Sequence, residues 1–247
     1  MTIRAHGGYL SGAKALIPKI EEEIGRQIDL DPGIEHVVFT GHSAGGAVSG
    51  LLFLYFANRV RPYMSFRKKS LITFGSPPVT TLDVTKLAKS LSKVGLVLSF
   101  VNEFDMIPRA DHDYIRSLLD LYRSSHGLQP IGQEAPSDME PDQASLDWQL
   151  PLPKYHIIGD ILLLRNIPQR IPDPRNDIDS DAATQTDQCQ LCVKLSAREF
   201  SKLLFCDLSV HKGRIYLERV QALTGNKVGS LSQTSTLVEQ SGKTKGF

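Results

Sequence analysis

The 247-residue chain has little cysteine, three residues in all: Cys189, Cys192 and Cys206. That number is small and odd, which excludes the disulfide framework of a small secreted domain. The Cys189-x-x-Cys192 spacing could supply half a zinc site, but tetrahedral closure needs a second pair, so reduced thiols in a polar loop are expected and no metal. An excess of one charge is also missing. Lys and Arg number 28 against 27 Asp and Glu, and no basic run offers a footprint for nucleic acid. Nowhere do 18 uncharged apolar residues follow one another, and the opening MTIRAHGGYL has no apolar leader core. Neither a membrane span nor a signal peptide is therefore expected, and the chain as written reads as cytoplasmic.

What is present alternates between helix and strand periods. Tyr9, Leu10, Ala13, Leu16, Ile17, Ile20, Ile24 and Ile28 recur every three or four residues, predicting an amphipathic helix over 9–28, kinked at Pro18 and broken by Asp31-Pro32-Gly33. Residues 35–40 read as a short strand, and the nearly all-apolar 44–58 as a buried helix. Further strands are expected at 70–74, 96–101 and 155–164, the last crossing Gly159-Asp160. Further helices are expected at 82–91, 116–122, 197–206 and 212–223. Strands alternating with helices imply an α/β fold with a mainly parallel sheet covered on both faces. One domain over 1–223 fits this length. The polar stretches near 124–153 and 167–188 read as flexible insertions, and 224–247 as a disordered tail.

Gly41-His42-Ser43-Ala44-Gly45 matches the G-x-S-x-G elbow, in which a strand turns sharply into a helix and presents a serine at the tip. The expected strand precedes it and the expected helix follows. Side chains at 41 or 45 are expected to collide with the neighbouring strand and helix, so glycine there lets the turn close; the bland alternative is a set of small residues kept for close packing. A serine hydroxyl is a poor nucleophile at neutral pH. It needs a histidine to take its proton and a carboxylate to orient that histidine, in the chain order serine, acid, histidine. Asp105 follows the strand expected at 96–101, with Glu103 as its competitor and a turn-forming role as its alternative. Three histidines come later in clear contexts. His112 is flanked by charge, His156 lies in an apolar run, and His211 sits between two helices near the end, where the last partner of such a set falls. His6, His36, His42 and His126 have ordinary turn, strand-edge or loop explanations. His211 is the favoured base.

These segments resemble the class 3 lipases, also called fungal lipase-type α/β-hydrolases. "AHGGYLSGA" (5–13) is similar to the family's H-x-G-F/Y helix start, and "FTGHSAGGA" (39–47) to its GHSLGGA elbow with alanine for leucine at 44. "FVNEFDMIPR" (100–109) is similar to its VNxxDxVPR acid segment, and "YHIIGDILLL" (155–164) to its HxGxE-like strand pair. "DLSVHKGRIYL" (207–217) resembles the weaker closing segment that supplies a histidine. The resemblance implies an α/β-hydrolase fold and hydrolysis of lipid acyl esters by Ser43, Asp105 and His211. It gives Gly41, His42 and Gly45 to the elbow, the Ala44 amide to the oxyanion hole, and only a structural role to His156. It implies no cofactor, a lipid or other acyl ester as substrate, and transient contact with lipid surfaces. The family's R-G-S/T strand end, which completes the oxyanion hole, has no counterpart in the sequence, so the expected fold lacks the family's N-terminal strands. Losing one such donor typically costs about 10²–10³ in turnover. The rival expectation is therefore a lipase-like scaffold that binds without turning over, and a third is an esterase for polar acyl esters.

Overall fold

The computed structural model describes residues 3–58, 67–129, 131, 148–168 and 188–225. Residues 130 and 132–147 of the expected first insertion, 169–187 of the second and 226–247 of the expected tail lie outside the described residues. Five strands form one sheet in the order β1-β2-β3-β4-β5. They are β1 (His36–His42), β2 (Lys68–Phe74), β3 (Val94–Asn102), β4 (Asp160–Pro168) and β5 (Gln188–Leu195). The first four run parallel and β5 returns antiparallel to β4. The helices are α1 (Gly7–Leu30), α2 (Ala44–Asn58), α3 (Thr85–Ser90), α4 (His112–Ser125), α5 (Ala197–Phe200) and α6 (Gly213–Gly225).

Helices cover both faces, as the alternating pattern requires. Phe39, Leu71 and Val97 lie in register across β1, β2 and β3 and form one core with Phe53 and Phe56 of α2 and Ala13 of α1. Each such fully buried large side chain contributes about 2–3 kcal/mol of hydrophobic stabilisation. Because side chains alternate along a strand, Phe74 and Phe100 project from the other face. Their rings stack 5.3 Å apart, and Tyr216 of α6 meets Phe74 edge-on. The result is a layered α/β order, with α1, α2 and α3 on one side and α6 on the other.

Several boundaries differ from the sequence expectation for local reasons. α1 continues through Pro18 without a break and ends where Asp31 Oδ1 accepts from the Gly33 N–H at 2.9 Å. α4 is twice the expected length because Asp111 caps it, accepting from the Tyr114 N–H at 2.9 Å. The expected 155–164 strand begins only at Asp160. Before it, Gly159 adopts φ +113 and His156 forms an isolated bridge with Thr80. The expected helix over 197–206 is the single turn Ala197–Phe200, closed by a capping box between Ser196 and Glu199. The larger correction is β5, because the segment around Cys192 is a strand and not a polar loop. Cys192 is half-buried there, and burial pushes its thiol pKa up, which keeps it a protonated thiol.

Candidate active site

β1 ends at the sheet's carboxyl rim and α2 begins two residues later, so the chain must reverse at Ser43. Ser43 holds φ +55, a left-handed conformation that costs a non-glycine residue free energy and recurs at functional turns. Its N–H donates to the Phe74 carbonyl at 2.9 Å, fixing the turn to the neighbouring strand. A Cβ on Gly41 would lie 2.5 Å from the carbonyl carbon and oxygen of Gly45 and 2.7 Å from the Gly46 nitrogen, all backbone atoms. Gly41 is thus required by the turn. Gly45, expected to be equally constrained, has no heavy atom within 4 Å of the corresponding position. The second close approach belongs to Gly46, 3.0 Å from Ser76 Cβ and 3.1 Å from the Gly41 oxygen.

The structure brings Ser43, His211 and Asp105 together from three distant parts of the chain. His211, at the end of the 3-10 turn Ser209–His211, lies with Nε2 2.8 Å from Ser43 Oγ and Nδ1 2.8 Å from Asp105 Oδ2. An ionised carboxylate only accepts, so Nδ1 carries the proton and Nε2 is left to accept from the serine hydroxyl. Asp105 is fully buried, and the His211 side chain is 17% exposed, so the relay opens outward at its serine end. Asp105 Oδ1 accepts from the Ile107 N–H at 3.0 Å, which holds the carboxylate plane. The competing acid, Glu103, is bound instead to Arg165 Nε at 2.6 Å.

The other histidines are engaged elsewhere. His112 is exposed beside Asp113, His36 meets Ser70 Oγ at 2.9 Å, and His126 packs on Tyr122. His6 packs between Tyr9 and Tyr155, while His156 bonds through its backbone to Thr80. His42 is closer to the chemistry than its elbow position suggested. Its Nε2 lies 2.7 Å from the His211 carbonyl oxygen, and the two rings are 4.7 Å apart.

Two further residues support the relay without having been singled out in the sequence. The Tyr216 hydroxyl donates to Asp105 Oδ2 at 2.6 Å and accepts from the Asn102 N–H at 2.9 Å. Burial, and then the adjacent Asp105 charge, drive the Tyr216 pKa far up, so the phenol stays neutral and keeps donating. Asn102 Nδ2 donates to the Val210 carbonyl at 2.8 Å, tying β3 to the turn that carries His211. Tyr216 sits five residues past His211 on α6, and no spacing rule marks that position.

The start of α2 supplies the remaining chemical feature. Gly46 and Ala47 donate to the Ser43 carbonyl, whereas the Ala44 N–H has no hydrogen-bond partner among the described residues. A free amide at a helix N-terminus, next to the serine, suits a developing negative charge on oxygen. Together these groups can activate a hydroxyl, hold an oxyanion and deliver a proton to a leaving group.

The Lipase (class 3) family model matches residues 1–114, which include Ser43 and Asp105. Among solved structures, lipase II from Rhizopus niveus is similar at 25% identity over 44% of this chain and 39% of its own, with TM-score 0.38. The triacylglyceride lipase of Rhizomucor miehei is similar at 25% identity over 44% of this chain and 40% of its own, with TM-score 0.39. A triacylglycerol lipase whose catalytic centre is formed by a serine protease triad is similar at 23% identity, over 47% of this chain and 42% of its own, with TM-score 0.39. The chain thus spans about two fifths of the length of these lipases. No curated protein matches it.

Proposed function

With residues 1–114 of class 3 lipase type as the premise, we propose that the chain is a serine carboxylic-ester hydrolase that cleaves acyl esters of lipids such as acylglycerols. The observation that carries this reading is the continuous relay of 2.8 Å contacts from Ser43 through His211 to the buried Asp105. In this reading Ser43 Oγ bonds to the ester carbonyl carbon while His211 Nε2 takes the hydroxyl proton. The carbonyl oxygen gains negative charge and is held by the Ala44 N–H. The carbon–oxygen bond to the alcohol then breaks, and His211 returns the proton to the departing oxygen. Water, deprotonated in turn by His211, releases the acid from the acyl-enzyme. Asp105 orients the imidazole and stabilises its charged form, Tyr216 holds Asp105 in place, and His42 anchors the His211 backbone carbonyl.

The test pairs a fluorophosphonate probe with p-nitrophenyl ester hydrolysis. The unaltered chain should label and turn over ester, and Ser43→Ala should abolish labelling and lower turnover by as much as ~10⁶. A folded chain that neither labels nor differs from Ser43→Ala in turnover would overturn the reading in favour of a binding scaffold. Faster turnover of long acyl chains than of short ones distinguishes lipid esters from polar ones.

A further inference from the structure

A second feature lies away from the relay. A cavity of about 460 Å³ opens between the start of α3, the turn after β3, the segment leading into β4, and α5, and none of Ser43, Asp105 and His211 lines it. Its wall includes Arg109, which is only 5% exposed. Buried cations are normally matched by an acid, because an unpaired charge loses its hydration without compensation. Arg109 has no carboxylate at ion-pair distance among the described residues. Its Nη1 donates to the carbonyls of Phe200 at 2.9 Å and Leu203 at 2.5 Å, and its guanidinium lies 4.5 Å from the Tyr114 ring centroid. Burial pulls its pKa down, and the neighbouring Tyr114 and Asp111 offset only part of that.

Among the described residues Nε and Nη2 of Arg109 carry no hydrogen bond. Among the described residues the sole sealed side-chain polar atom without a partner is Asn102 Oδ1, so these two nitrogens must touch open space, and the space beside Arg109 is the cavity. The acids along the same wall are already held. Asp160 binds Lys89 and Lys194, Glu199 closes the capping box with Ser196, Asp83 accepts from the Thr85 N–H, and Asp111 accepts from the Tyr114 and Lys154 N–H groups. Lys86 stands exposed at the rim with no ion pair among the described residues. Ile157, Ile161, Leu195 and Phe200 give the remaining surface an apolar character.

We propose that this cavity binds an amphiphilic carboxylate, with the carboxylate on the free edge of Arg109 and the apolar body along Ile157, Ile161, Leu195 and Phe200. A site of this size, with apolar side chains set beside fixed charged groups, has the ordinary composition of a small-molecule pocket. The planar guanidinium edge matches a carboxylate in geometry as well as charge. The site stands independently of ester cleavage.

The test is calorimetric titration of the full chain with decanoate, at concentrations below micelle formation, with decanol as the uncharged comparator. Saturable one-to-one binding is expected, with decanoate at least tenfold tighter than decanol. Arg109→Gln should weaken decanoate about thirtyfold or more and erase its advantage, as loss of one partner of a desolvated charge pair does. Because Arg109 also holds the α5 turn, two variants of the rim and wall keep the question open should that protein unfold. Ala197→Trp, which places a ring in the cavity, should abolish binding of both ligands while fluorophosphonate labelling of Ser43 persists. Lys86→Glu should weaken decanoate about threefold at low salt. Equal affinity for decanoate and decanol, no binding to the unaltered chain, or binding indifferent to Ala197→Trp would each overturn the proposal.

Discussion

Two glycines of the same five-residue motif should respond to alanine with opposite signs. At Gly41 the new methyl would sit 2.5 Å from the backbone carbon and oxygen of Gly45 and 2.7 Å from the Gly46 nitrogen. These atoms belong to the first turn of α2 and cannot rotate away, so β1 and α2 must separate by most of an ångström. Overpacking costs typically run about 1–3 kcal/mol, and a clash with backbone on two sides belongs at the upper end. About 3 kcal/mol in a domain of this size lowers Tm by roughly 6–12 °C. At Gly45 the methyl meets no atom within 4 Å, the position is helical, and alanine restricts the unfolded chain. A gain of about 0.4–1 kcal/mol follows, or roughly 1–4 °C. Thermal and urea unfolding of the two variants read this difference directly. Equal losses at both sites, or a Gly45→Ala loss above about 1 kcal/mol, would refute the geometry assigned to the elbow.

Tyr216→Phe removes a donor from buried Asp105 and the acceptor of the Asn102 N–H. A loss of about 2–4 kcal/mol in urea unfolding is expected, together with a fall in ester kcat of about tenfold and little change in KM. A stability change under about 0.5 kcal/mol would contradict the hydrogen bonds. Asp160 ties α3 to β5 through Lys89 and Lys194. Burial alone would raise its pKa, but hydrogen bonds from the two lysines outweigh burial and hold it below the usual aspartate value. The stabilisation is therefore present above the unfolded pKa of about 3.9 and lost as pH falls through the lower folded value. Asp160→Asn should cost about 1 kcal/mol at pH 7 and nothing once the pH lies below the folded value, seen as a shallower acid limb in unfolding curves recorded against pH.

Local signals carried the turn at Ser43 and most of the sheet, because both depend on neighbours in the chain. The bounds of α2 follow from its run of apolar residues, and β1, β2 and β3 from short β-branched stretches between turns. β5 was hidden because its composition, QCQLCVKL, satisfies strand pairing only against β4. Strand propensity depends on such cross-strand context. The same limit explains Gly45, whose freedom and Gly46's confinement depend on where Ser76 arrives from the next strand.

The sequence by itself determined that a serine would stand at a strand-to-helix bend in an α/β chain, since glycine spacing and hydrophobic period act over a few residues. It narrowed the histidine and the acid to a handful. Only the tertiary structure decided that His211 rather than His112 or His156 reaches Ser43, that Glu103 turns to Arg165, and that Tyr216 completes the shell around Asp105. Those choices join residues more than 50 positions apart, and no local rule relates groups whose separation is set by the folding of the whole sheet.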